Sequence, residues 1–168
     1  MNEVFECKDA MILYVEDEHI EREQTAQFLK RNFNTVMVAP NGKDALEIYK
    51  NNYFDVVITD INMPIMDGVE MSQKIREISP EQAIIVVSAF DFSDNLHSFL
   101  KKDVEFFIKK PFDLKNLLVA IKEVCAKIKE REALAKEDLS KDEIIDLLKK
   151  RVHELERKIE ILEDKINH

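Results

Sequence analysis

Five short apolar runs recur along the chain: MILYV at 11–15, TVMVA at 35–39, DVVIT at 55–59, AIIVV at 83–87 and VEFFI at 104–108. Each is continuous rather than alternating, the pattern of a strand buried on both faces. Between them, 19–31, 42–51, 68–77 and 92–102 carry helical patterns, and a fifth helix starts near Asp113. Asn41 before Gly42 suits a helix N-cap, and Gly68 opens the helix after the third run. Strict alternation with short links predicts an α/β fold built on a doubly wound, five-stranded parallel sheet. Ligands of such sheets sit at the carboxyl ends of the strands, near the point where strand order reverses.

The residues at those ends are chemically distinctive. The first run stops at Glu16 and Asp17, the third at Asp60, the fourth at Ser88, and the fifth at Lys109, Lys110 and Pro111. If the first, third, fourth and fifth strands are neighbours, three acids, a hydroxyl and an ammonium share one edge. Crowded carboxylates repel one another and call for a cation. Hard oxygen donors suit Mg²⁺, which pairs few protein carboxylates with phosphate oxygens. The serine and lysine suit an anion held above Asp60. A phosphoryl group fits, because its transfer needs mainly positioning and charge stabilisation. Asp60 would then be the nucleophile and carry an acyl phosphate.

This set resembles the receiver domain of bacterial two-component response regulators. Glu16-Asp17, Asp60, Ser88 and Lys110-Pro111 match its motif in register, together with Met63-Pro64 and Asp67-Gly68, over about residues 9–128. The resemblance implies a flavodoxin-like sheet of order 2-1-3-4-5. It implies Asp60 as phosphoacceptor and Mg²⁺ held by Glu16 (through water), Asp17, Asp60 and the carbonyl of Asn62. Ser88 and Lys110 would bind the phosphoryl group, the Lys110-Pro111 bond would be cis, and Ser88 and Phe107 would form the switch. Glu16 replaces the commoner Asp, and Phe107 the commoner Tyr, so the switch lacks a hydroxyl. Asn62 and Phe90 would border the path of hydrolytic water. The resemblance also implies a sensor histidine kinase as donor, and a phosphoacceptor with Mg-dependent self-phosphorylation and self-dephosphorylation rather than an enzyme.

Taken singly, these residues have plainer readings. Asp60 could be a turn acid, Glu16-Asp17 a helix-entry pair stabilised by the dipole, Phe107 a core residue and Lys109 a solvated neighbour. A haloacid-dehalogenase-type phosphatase would need a second acid two residues after its nucleophile, where Asn62 stands. His153 in Val-His-Glu-Leu lacks the Arg-Thr-Pro that follows a histidine-kinase phosphoacceptor, and reads as a solvated helix position.

Beyond Pro111 the chain has neither Gly nor Pro. Ser140-Lys141-Asp142-Glu143 is a capping box, which predicts a helix restart and a final helix from 141. There Ile145, Leu148, Val152, Leu155, Ile159, Leu162 and Ile166 alternate spacings of three and four, the a/d seam of a coiled coil. β-branched a positions with Leu at d favour two parallel strands. Arg151 and Lys158 at g would face Glu156 and Glu163 at e of the partner helix. The expected organisation is a receiver at 1–128, a helical linker at 129–140 and a homodimeric coiled coil at 141–168. Alternatives are a receiver-plus-linker fragment of a larger protein with a cyclase or kinase output, and a coiled-coil scaffold whose receiver is unused.

Net charge is -9, with 12 basic and 20 acidic residues before position 113 and 13 and 14 from position 113 onward. Neither part is basic, which excludes a surface built for nucleic-acid phosphates. No run is long enough to span a bilayer, the acidic N-terminus shows no signal peptide, and Cys7 and Cys125 read as free thiols of a cytoplasmic protein.

Overall fold

The computed structural model describes residues 7–89, 104–137 and, in the tail, positions 143, 145, 146, 148–150, 152, 153, 156, 157 and 159. The helix expected over 92–102, Phe90, most of the capping box, and the seam residues Leu155, Leu162 and Ile166 lie outside them. The elements are β1 (Met11–Val15), α1 (His19–Asn32), β2 (Thr35–Ala39), α2 (Gly42–Lys50), β3 (Val56–Thr59), α3 (Gly68–Ile78), β4 (Ala83–Ser88), β5 (Phe106–Lys109) and α4 (Leu114–Glu137). The strands form one parallel sheet in the order β2-β1-β3-β4-β5.

Order reverses at β1, which pairs with β2 on one side and β3 on the other. Right-handed crossovers running in opposite directions, β1 to β2 and β2 to β3, must put their helices on opposite faces. Side chains alternate accordingly. Leu13, Val15, Val57, Ile84 and Val86 join Ala45 and Leu46 of α2 and Met71 and Ile75 of α3 in one core. Ile12, Tyr14, Ile58 and Ile85 belong to the other face and are equally buried, as are Leu29 of α1 and Leu117 and Ile121 of α4. The continuous apolar runs have this cause: β3 and β4 are buried throughout, whereas β2 and β5, at the sheet edges, are only partly covered.

Two strands start later than their apolar runs. β3 begins after Asp55, whose Oδ2 accepts from the Met11 amide at 2.7 Å while its own amide donates to Met11 O at 2.9 Å. β5 begins after Glu105, whose Oε2 accepts from the Ile84 amide at 2.8 Å while its amide donates to Ile84 O at 3.0 Å. In each case a carboxylate takes over a ladder bond and satisfies an amide in the first two residues of the neighbouring strand. The caps of α2 and α3 are side chains: Asn41 accepts from the Asp44 amide at 2.9 Å and Asp67 from the Glu70 amide at 2.8 Å.

The chain divides into two compact units, Met1–Lys127 and Ile128–His168. The described positions of the second unit are helical. Its seam residues Ile145, Leu148, Val152 and Ile159 are exposed.

Candidate phosphoacceptor site

Backbone hydrogen bonds carry the sheet one step past the strands and fix the site residues. The Glu16 amide donates to Ala39 O, the Asp60 amide to Val15 O and the Lys110 amide to Ser88 O, at 3.1, 3.1 and 2.8 Å. Glu16, Asp60, Ser88 and Lys110 are therefore set by strand register rather than by loop conformation.

Three of their side chains meet. Lys110 Nζ lies 2.6 Å from Glu16 Oε2 and 2.7 Å from Asp60 Oδ2. A third acid, Glu21 of α1, approaches the same ammonium, with Oε1 at 2.9 Å. Asp60 Oδ1 accepts from the amides of Ile61, at 2.5 Å, and Asn62, at 3.2 Å. Those contacts orient the carboxylate, and 9% of the residue remains open to solvent. Burial would lower the Lys110 pKa, but hydrogen bonds to Asp60, Glu16 and Glu21 outweigh it and hold the ammonium above the ordinary lysine range. Burial raises the Glu16 pKa, opposed by the bond from Lys110.

Other expected site residues stand around this centre. Ser88 is fully buried at the end of β4, opposite Lys109 in register. Asp17 and Asn62 are exposed at the rim. Phe107 stands apart from the cluster, half-buried in β5 against the core that holds Leu13 and Val57. The Lys110-Pro111 bond is cis.

The loop after Asp60 is tightly drawn. Thr59 Oγ1 donates to Asp60 O at 2.7 Å, and the Gly68 amide to Ile61 O at 2.8 Å. A Cβ on Gly68 would lie 2.0 Å from Asp60 O, so only glycine permits this approach. Met66 N donates to Pro64 O at 2.8 Å, closing a three-residue turn around Ile65 at φ 73. That left-handed conformation is strained for a β-branched side chain.

Two participants were invisible in the motif. Glu21 supplies the third acid, and Arg22 Nη1 donates to the carbonyls of Glu16 and Asp17 at 2.7 and 3.0 Å, tying α1 to the turn after β1. Their position in the first turn of the helix after Glu16-Asp17 was the available signal, but charges there read equally well as solvated.

The sequence pattern of the response regulator receiver domain matches residues 12–122. The chain belongs to that family. The receiver domain is 31% identical over 113 residues to the chemotaxis protein CheY of Halobacterium salinarum, covering 67% of this chain and 94% of that one. It is 36% identical over 110 residues to a cyclic di-GMP phosphodiesterase of Thermotoga maritima. That match covers 66% of this chain, while the chain spans only 29% of the phosphodiesterase. Among solved structures, the receiver resembles a chain of the CheX–CheY–BeF₃–Mg²⁺ complex of Borrelia burgdorferi. The TM-score is 0.63 at 31% identity, over 68% of this chain and 88% of that one.

Receivers of the CheY type bind Mg²⁺ at the phosphorylation site. The donor set here fits such an ion in kind: it is all oxygen, and the three acids around Lys110 exceed its single positive charge. Among the described residues, no group of three or more His, Cys, Asp or Glu side chains is arranged to hold a metal ion as they stand. Lys110 occupies the point where Glu16 and Asp60 meet. No helix among the described residues is long and apolar enough to cross a membrane.

Proposed function

We propose that the chain is a phosphoaspartate switch in which Asp60 accepts a phosphoryl group from the phosphohistidine of a sensor histidine kinase. The observation that carries this reading is the gathering of the Asp60 and Glu16 carboxylates on the Lys110 ammonium at the carboxyl edge of the sheet. An Asp60 carboxylate oxygen attacks phosphorus; a P–O bond forms, the P–N bond breaks, and the imidazole leaves. The amides of Ile61 and Asn62 aim the nucleophile. Lys110 donates to a phosphoryl oxygen, and Ser88 donates its hydroxyl to another. When bound, Mg²⁺ would be held by Glu16, Asp17, Asp60 and the carbonyl of Asn62, and would neutralise charge on the transferring group.

The modification adds a charge of about -1.5 to -2. Recruitment of Ser88 toward that charge repacks the β4–β5 surface that carries Phe107, a population shift between two arrangements of one face. The tail from residue 141 pairs with a second copy as a parallel coiled coil after a helical linker at 129–140. The proposed setting is cytoplasmic, with neither nucleic acid nor membrane as partner. A second reading makes the chain the receiver-plus-linker part of a larger signalling protein; the chain's 29% share of the Thermotoga phosphodiesterase favours it. The presence of the acid set together with Lys110 speaks against a scaffold with an unused receiver.

Acetyl phosphate with Mg²⁺ is expected to add about 80 Da, one phosphoryl group, to the wild type and nothing to Asp60→Asn. Equal modification of the two proteins would overturn the assignment of Asp60.

A further inference from the structure

Lys110 carries one carboxylate more than the receiver motif supplies. An ammonium has three N–H donors, and three acids share it: Glu16 Oε2 at 2.6 Å, Asp60 Oδ2 at 2.7 Å and Glu21 Oε1 at 2.9 Å. Glu21 cannot be an accidental neighbour of a free-swinging helix. Arg22, next to it, is bonded to the carbonyls of Glu16 and Asp17, so the turn that presents Glu16 also presents Glu21.

We propose that Glu21 is a positioning residue that competes with a phosphoryl group on Asp60 for Lys110, and so limits how far the site is phosphorylated. The proposal rests on the reading of Asp60 as phosphoacceptor. While Asp60 is still a free carboxylate all three donors are engaged, so an incoming phosphoryl oxygen gains Lys110 before the P–O bond forms only by displacing one acid. The side chains of Glu16 and Asp60 are 2% and 12% exposed, and a buried carboxylate deprived of its cation is costly. Glu21 is 34% exposed and returns to water at little cost. It is therefore the bond that exchanges. After exchange its charge remains beside the phosphoryl dianion, and like charges at that range disfavour the doubly charged form. The same charge favours a dication in the neighbouring acid cluster. Glu21 thus acts with opposite sign on the two ions of the site.

That opposition separates the proposal from the plainer role of a partly exposed ion pair, which contributes little to stability and nothing to either ion. The test uses the full chain, wild type and Glu21→Gln. Calorimetry with Mg²⁺ alone is expected to show weaker binding by the variant, by about threefold. At Mg²⁺ concentrations saturating for each protein, beryllofluoride is expected to bind the variant about threefold more tightly. Intact mass is expected to show phosphorylation about threefold faster or more, with acetyl phosphate and with the less charged phosphoramidate alike. Equal affinities and rates in the two proteins, or a change of the same sign for both ions, would overturn the proposal while leaving Asp60 in its role. If neither protein is modified by either donor, the phosphoacceptor reading fails and the role of Glu21 falls with it.

Discussion

Tyr14 and Tyr49 are both buried, and burial raises the pKa of each phenol. Their hydroxyls meet different surroundings. Tyr49 donates to Gln82 Oε1 at 2.7 Å, whereas the Tyr14 hydroxyl has no hydrogen-bond partner in good geometry among the described residues. Tyr49→Phe is expected to cost about 1 kcal/mol, because Gln82 loses its donor inside the protein. Tyr14→Phe is expected to change stability by less than about 1 kcal/mol, because the hydroxyl, with Thr25 as its polar neighbour, has no well-formed hydrogen bond to lose. Thermal unfolding at neutral pH reads both. A phenol with a raised pKa in the folded state contributes stability that is complete below its unfolded value, about pH 10, and lost as pH rises beyond it. Melting temperatures should therefore fall above about pH 10, less steeply in Tyr14→Phe; an unchanged slope in that variant would contradict the assignment. At this scale the sequence spoke clearly where chemistry and strand ends coincided, at Glu16, Asp60, Ser88 and Lys110. It was silent at Asp55, Glu105, Glu21 and Arg22, where a common charged residue gains its role from a tertiary neighbour. Nor does Pro64-Ile65-Met66 announce a left-handed backbone, since a β-branched residue is among the least expected there.

The elements were legible because burial on two faces leaves an unbroken apolar run, and because helices between parallel strands must be amphipathic. The late starts of β3 and β5 were not, because an acid standing in for a ladder bond has the same letter as an acid in a loop. Packing between elements depends most tightly on Gly68, where α3 begins against the backbone of Asp60. Gly68→Ala would press a methyl group onto Asp60 O, an atom of the main chain that Thr59 also holds. Backbone has no rotamer to give, so the cost should reach about 2 kcal/mol or more. The same shift should displace Asp60 and slow its phosphorylation. Denaturant unfolding together with the mass assay checks both; a variant with wild-type stability would show that the α3 entry adjusts freely.

For the whole molecule, the sequence calls for a second copy of the tail through its heptad, and of the seven seam residues four are among the described positions. Ile145, Leu148, Val152 and Ile159 are 47–59% exposed in the single chain, a row of apolar groups that a parallel pair would cover. About three heptads, ~33 Å at 1.5 Å per residue, make a marginal zipper alone. Sedimentation is expected to show a dimer of the unphosphorylated chain at tens of micromolar, roughly the range for so short a seam. Ile159→Lys is expected to weaken it. A monomeric wild type, or crosslinks placing residue 145 beside residue 166 of the partner, would refute the parallel arrangement. The register of the site has a different consequence, one for biosynthesis. The bond from Lys110 to Glu16 closes 94 positions of chain. A ribosome makes the chain from its N-terminus, so a nascent receiver presents Asp60 well before the Lys110 ammonium on which it is held. A product stalled or clipped short of residue 110 retains Asp60 but has no ammonium to gather the acids and no β5 to close the edge. With Asp60 as the proposed phosphoacceptor, competence to be phosphorylated would certify that the receiver has been made through to its fifth strand.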